Sequence, residues 1–185
     1  MNQTTLLIVI VAVALVAVAI VAWAFIRKRR TQELRGRFGP EYERTVRDIG
    51  DQGKAEAELE ERKKRVAKLQ LHRLTAEQQN RFAKQWAAAQ ARFVDDPRAA
   101  VADANRLVKE VMAARGYPVG DFERRAADIS VDHPTVVSNY RAAREIATRS
   151  EQSKASTEDL RKAVVYYRGL FEELLETPQL VGAAK

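Results

Sequence analysis

His133 stands between Asp132 and Pro134. An Asp beside a His is a pair that could move a proton in general acid–base catalysis. No Ser or Thr lies in a nucleophile-elbow pattern that such a base could activate. The alternative use of these residues is helix capping, with a carboxylate ahead of a proline-marked helix start. The second candidate is Asp95 with Asp96, which could act as paired carboxylates or as one edge of a metal site. They are adjacent and Pro97 follows, so one of them is used as an N-cap with proline at N1. Capping is therefore the favoured reading at both places.

The remaining chemistry-bearing types are sparse. There is no cysteine and there are only two histidines, so thiolate catalysis, disulfides and Cys-based zinc sites are excluded. His72 is remote from His133, and no H-x-x-x-H or H-E-x-x-H spacing exists for a metal. Arg124 with Arg125, and the run ERKKR over 61–65, could hold phosphate, but a solvated helix face accounts for both. Tyr166, Tyr167 and Trp86 are large amphipathic anchors. An exposed member of the tyrosine pair would mark a partner groove, and partial burial in a bundle is the favoured alternative. No cofactor is implied. This inventory weighs against an enzyme without deciding the question.

The elements that would position these residues are helical. Ala, Arg, Glu and Leu are abundant, and Gly and Pro are few among 185 residues. No alternating strand run bounded by hairpin turns is present. From residue 6 to residue 26 every position is apolar, LLIVIVAVALVAVAIVAWAFI. A helix of that length would be about 31 Å long, enough for a hydrocarbon core of about 30 Å. The run ends on the cations Arg27, Lys28, Arg29 and Arg30, joined by Arg35 and Arg37.

Residues 22–24 read A-W-A, a cleavage-like pattern, but three features oppose a cleaved signal. The first five residues carry no cation, the apolar run is long, and a dense basic cluster follows the cut. A retained transmembrane helix over 6–26 is thus expected. The basic collar places residues 27–185 on the cytoplasmic side of the inner membrane and residues 1–5 outside. The collar carries net +5 of the chain's +7. The basicity is therefore local, which disfavours nucleic acid as a partner.

Beyond the collar, GRFGP over 36–40 breaks the helix. A short amphipathic helix follows within the 27–53 segment, with Tyr42, Val46 and Ile49 on one face. It would pack on the domain or lie on the membrane with its arginines near anionic headgroups. Residues 54–74 read as a charged, solvated stalk helix. There Glu58 with Arg62, Glu60 with Lys64, and Glu61 with Arg65 have favourable i,i+4 spacing.

A helical bundle is expected over 75–176, with a frayed end over 177–185. Thr75 and Gln78 match a capping box, and Phe82, Trp86, Ala89 and Phe93 form one stripe. Val101, Ala104, Val108, Val111 and Met112 form another, closed by Gly116. Val131 to Pro134 echoes Val94 to Pro97 as a second helix start. Val136, Tyr140, Ala143 and Ala147 line the next helix. Ser156 caps the last one, whose face runs through Leu160, Ala163, Val164, Tyr167, Leu170, Phe171 and Leu174.

The stretches RFGPEYERTV and RFVDDPRAAVADANRLVKEVMAARGYPVGDFERRAADISVDHPTVV resemble a group of uncharacterised bacterial membrane or secreted proteins. The resemblance covers most of residues 34–175. It implies a bacterial origin and no particular chemistry. The sequence-based expectation is thus an all-α chain: one transmembrane helix, a charged stalk and a small cytoplasmic bundle. Its expected role is a membrane-anchored interaction or scaffold module without catalytic activity. The lipid bilayer through 6–26, anionic headgroups and a protein are its candidate partners. The alternative is a membrane-associated enzyme or a small-ligand-binding helical domain.

Overall fold

The computed structural model describes residues 3–176, with side chains described from residue 12 onward. The described residues form eight helices and no strand. These are α1 (Gln3–Phe38), α2 (Pro40–Ile49), α3 (Gln52–Val66), α4 (Ala76–Arg92), α5 (Pro97–Ala114), α6 (Phe122–Asp132), α7 (Val137–Glu151) and α8 (Thr157–Leu175).

Two cores are present. The larger is the expected bundle. α8 packs on α5 and α7, and α4 packs on α5. Phe82, Trp86, Leu107, Val108, Met112, Tyr140, Tyr167, Leu170 and Phe171 are buried in it. Trp86 stacks on Phe171 with ring centroids 4.5 Å apart, and Tyr140 meets Tyr167 edge-on at 6.1 Å. Each such side chain contributes about 1.5–3 kcal/mol by burial.

Local signals set the helix ends. Thr75 with Gln78 and Ser156 with Asp159 form reciprocal capping boxes, and the Asp96 carboxylate accepts from the Ala99 amide ahead of Pro97. Gly116 has φ 93°, and a Cβ there would lie 2.5 Å from the Gln70 carbonyl oxygen. Only glycine allows the chain ahead of α4 to pass this close to the end of α5.

The smaller core overturns the stalk. Leu59 and Val66 of α3 are buried against Leu34 and Phe38 of α1, Tyr42 of α2 and Val131 of α6. Of the three expected i,i+4 pairs only Glu58 with Arg62 forms, at 3.0 Å. Lys64 pairs instead with Glu61. Arg65 leaves the helix surface for the buried Asp128, 2.7 Å away on α6. α3 is thus a packed helix joining the N-terminal unit to the bundle.

α2 also packs, with Tyr42 and Val46 of the expected face turned to the smaller core but the buried stripe shifted toward Glu41 and Thr45. Glu41, Tyr42 and Thr45 are buried, whereas Ile49 is exposed. The first helix breaks within GRFGP, as expected. α1 continues through Arg27, Arg30 and Gly36 and stops at Gly39, whose φ of 48° no β-carbon residue adopts readily.

The transmembrane helix expected over 6–26 is corrected as well. Among the described residues no helix is long and apolar enough to cross a membrane. Where side chains are described, the apolar stretch before Arg27 covers residues 12–26, about 22 Å of helix against a hydrocarbon core of about 30 Å. The outer part of the expected span, 6–11, and the segments 1–2 and 177–185 lie outside the described side chains or residues.

Candidate functional site

The Asp132 and His133 pair separates in space. Asp132 is the last residue of α6 and His133 its C-cap, so they end a helix rather than start one. α7 begins three residues after Pro134 with no side-chain cap. The Asp132 carboxylate accepts from the Tyr117 hydroxyl at 2.8 Å and lies 3.8 Å from Arg37 of α1. His133 Nδ1 meets Glu173 of α8 at 2.8 Å. Burial, reinforced by Asp132, pushes the Tyr117 hydroxyl up, so it stays a protonated donor. These contacts fasten the ends of α1, α5, α6 and α8. They place no base beside a nucleophile.

Arg125 departs from the solvated face expected for it. It is buried, donating from Nε to Tyr140 Oη at 2.7 Å and from one terminal nitrogen to the Val119 and Gly120 carbonyls. His72 is exposed, with its ring nitrogen against the Gln70 carbonyl and its backbone N–H donating to the Arg115 carbonyl. Among the described residues no group of three or more metal-ligating side chains converges.

Three buried carboxylates were not legible as special: Glu41, Glu56 and Asp128. Glu41 sits at the start of α2, where an acidic residue is ordinary. Its Oε1 accepts from Arg62 of α3 at 3.1 Å and from Arg141 of α7 at 3.0 Å, with Arg44 at 3.6 Å. An open cleft of about 410 Å³ lies over this cluster. Arg62 also meets Glu58, Arg141 meets Glu123, and Arg44 meets Asp48. These arginines are already matched by carboxylates, so the cleft is an ionic clamp between the two cores.

Glu56 organises the other end of the N-terminal unit. Its Oε1 accepts from Thr31 at 2.7 Å, Tyr42 at 2.8 Å and Gln52 at 2.9 Å, drawing α1, α2 and α3 together. Burial alone would raise this carboxyl. The hydrogen bonds from Gln52, Thr31 and Tyr42 together outweigh it and hold the group below its ordinary value. A depressed folded-state value means that the stabilisation is full above the unfolded value of 4.5. It is lost as pH falls through the lower folded value. Wild type should therefore lose more stability than Glu56→Gln between about pH 5 and about pH 3, measured by urea midpoints. Parallel profiles would show that this carboxylate is not linked to folding.

The basic collar divides around α1. Arg27, Lys28 and Arg35 line an open groove of about 440 Å³ with Trp23, Ala24, Thr31, Gln32 and Gln52. Arg29 lies over the Phe25 ring at 4.5 Å. Arg30 approaches Glu60 at 4.0 Å and Arg37 approaches Asp132, on the flank away from that groove. Above the collar, every large apolar side chain of α1 from Val13 to Ile26 is exposed, Trp23 at 61%.

No family model, curated protein or solved structure matches the chain. Among the described residues, the most extensive uncovered apolar feature is α1 from Val13 to Ile26. The groove at its base is lined by cations, and no carboxylate joins them in its wall.

Proposed function

We propose that the chain is a lipid-associated helical interaction module, with the apolar half of α1 covered by lipid and the two-core body held at the headgroup surface. One observation carries the reading. Between Val13 and Ile26 the exposed apolar side chains occupy all sides of the helix. A groove on a protein, or a single coiled-coil partner, covers one stripe of a helix and would leave the rest wet. An apolar medium covers every side at once. The adjoining residues support lipid as that medium. Trp23 lies where the apolar segment ends, and Arg27 to Arg30 follow directly, complementary to anionic headgroups. The reading requires only that lipid cover these side chains.

Flotation of the full chain with neutral phosphatidylcholine vesicles tests it. Wild type should float with the vesicles. Val16→Asp with Ile20→Asp should reduce the bound fraction at least about tenfold, since an aspartate deep in lipid is costly. A chain that stays with the protein fraction as an oligomer, its apolar helices buried against one another, would overturn the proposal.

A further inference from the structure

We propose that the groove between α1 and the start of α3 is a binding site for the phosphate of an anionic phospholipid. The inference rests on the reading of α1 as lipid-covered and adds headgroup recognition to it. Arg27 and Lys28 lie in one turn of α1 and Arg35 two turns further on, on the same side, because residues separated by seven or eight positions share a face. Lys28 and Arg35 flank the level of Thr31 and Gln32, and Gln52 faces them from α3.

The groove differs from the clamp at Glu41. There Arg44, Arg62 and Arg141 all meet Glu41, which is part of the cleft wall. Here the wall is cationic and amide-bearing, and the nearest buried carboxylate, Glu56, already accepts three hydrogen bonds behind Thr31 and Gln52. Arg35 does meet Glu43, but at 3.4 Å with both side chains more than half exposed. Such a pair is weak and yields readily to a phosphate. Arg27 lies over the Trp23 ring at 5.4 Å, which keeps one cation at the lipid end of the groove.

Geometry separates this site from diffuse attraction. Arg35 is twelve residues beyond Trp23, about 18 Å along the helix axis, whereas Arg29 and Arg30 are about 9 Å and 10 Å away. A headgroup layer is roughly 5–8 Å thick. Diffuse attraction gives roughly fivefold per cation near the surface and fades with distance. It should therefore weigh Arg35 least.

The test compares charge-matched variants of the full chain on phosphatidylcholine vesicles doped with phosphatidylglycerol, at fixed salt. Lys28→Gln and Arg35→Gln should each weaken binding about twentyfold, well beyond the roughly fivefold of a diffuse surface charge. Arg29→Gln and Arg30→Gln should stay within that roughly fivefold range. Losses ranked by distance from Trp23, with Arg35→Gln smallest, would overturn the site. Lys28 has no ion-pair partner among the described residues, so Lys28→Gln against Arg29→Gln decides the matter even if Arg35→Gln perturbs folding.

Inorganic phosphate added without vesicles separates the sources. Phosphate binding that depends on Lys28 and Arg35, together with unchanged binding of Lys28→Gln and Arg35→Gln to the doped vesicles, would overturn a lipid ligand in favour of free phosphate. Retained binding of all four variants to undoped vesicles is expected. Its loss in wild type would overturn the lipid reading of α1 and leave the phosphate result to be judged by itself.

Discussion

Glu41→Ala should lower the unfolding free energy by about 3 kcal/mol, near the low end for breaking a buried ion pair. The carboxylate is 2% exposed, and the Arg62 and Arg141 side chains that share its Oε1 are 11% and 13% exposed. Removing it leaves two nearly buried guanidinium groups facing each other. Their other partners, Glu58 and Glu123, are 43% and 68% exposed and compensate only in part. Urea denaturation at neutral pH measures the loss. Glu41→Ala with Arg141→Ala should be less destabilised than the sum of the single variants, because the second change removes an orphaned charge. A cost below about 1 kcal/mol would show that this cluster does not clamp the two cores.

Phe171→Ala should cost about 3–5 kcal/mol. Phe171 is 3% exposed and forms the stacked partner of Trp86, so truncation opens a cavity where α8 meets α4 and removes an aromatic contact. The same denaturation experiment should show a lower midpoint with an unchanged slope. Trp86 emission should shift to the red if water reaches the cavity. A loss under about 1.5 kcal/mol would mean that the bundle closes over the gap by rearranging.

Both large effects arise in regions of very different legibility. The surroundings of Phe171 could be read from the sequence because their signals are local. The Thr75 and Ser156 capping boxes, the Asp96-Pro97 start and the stripe from Leu160 to Leu174 each lie within a few turns of chain. The surroundings of Glu41 could not. Arg141 reaches it across 100 residues, and Arg65 reaches Asp128 across 63. Apolar periodicity detects no such contact. A helix like α3, which buries Ala55, Glu56, Leu59 and Val66 and fastens itself by ion pairs, therefore reads as a solvated stalk.

Proline placement misled in another way. Residues ahead of a proline are driven out of the helical region whether a helix is about to start or has just ended. Asp96-Pro97 marks a start and His133-Pro134 an end, and the local sequence does not distinguish them. The basic collar was visible as composition. Its division into a groove-lining set and a flank set was not, because that depends on where α3 docks.

The central claim is that lipid covers the apolar half of α1, and the indole of Trp23 reports on it directly. Trp86→Phe leaves Trp23 as the single tryptophan. In the full chain carrying that change, Trp23 emission should move to the blue on addition of phosphatidylcholine vesicles. It should also be quenched by lipids brominated near the top of their acyl chains. Emission that stays red and unquenched by brominated lipid, while vesicles are in excess, would contradict the account.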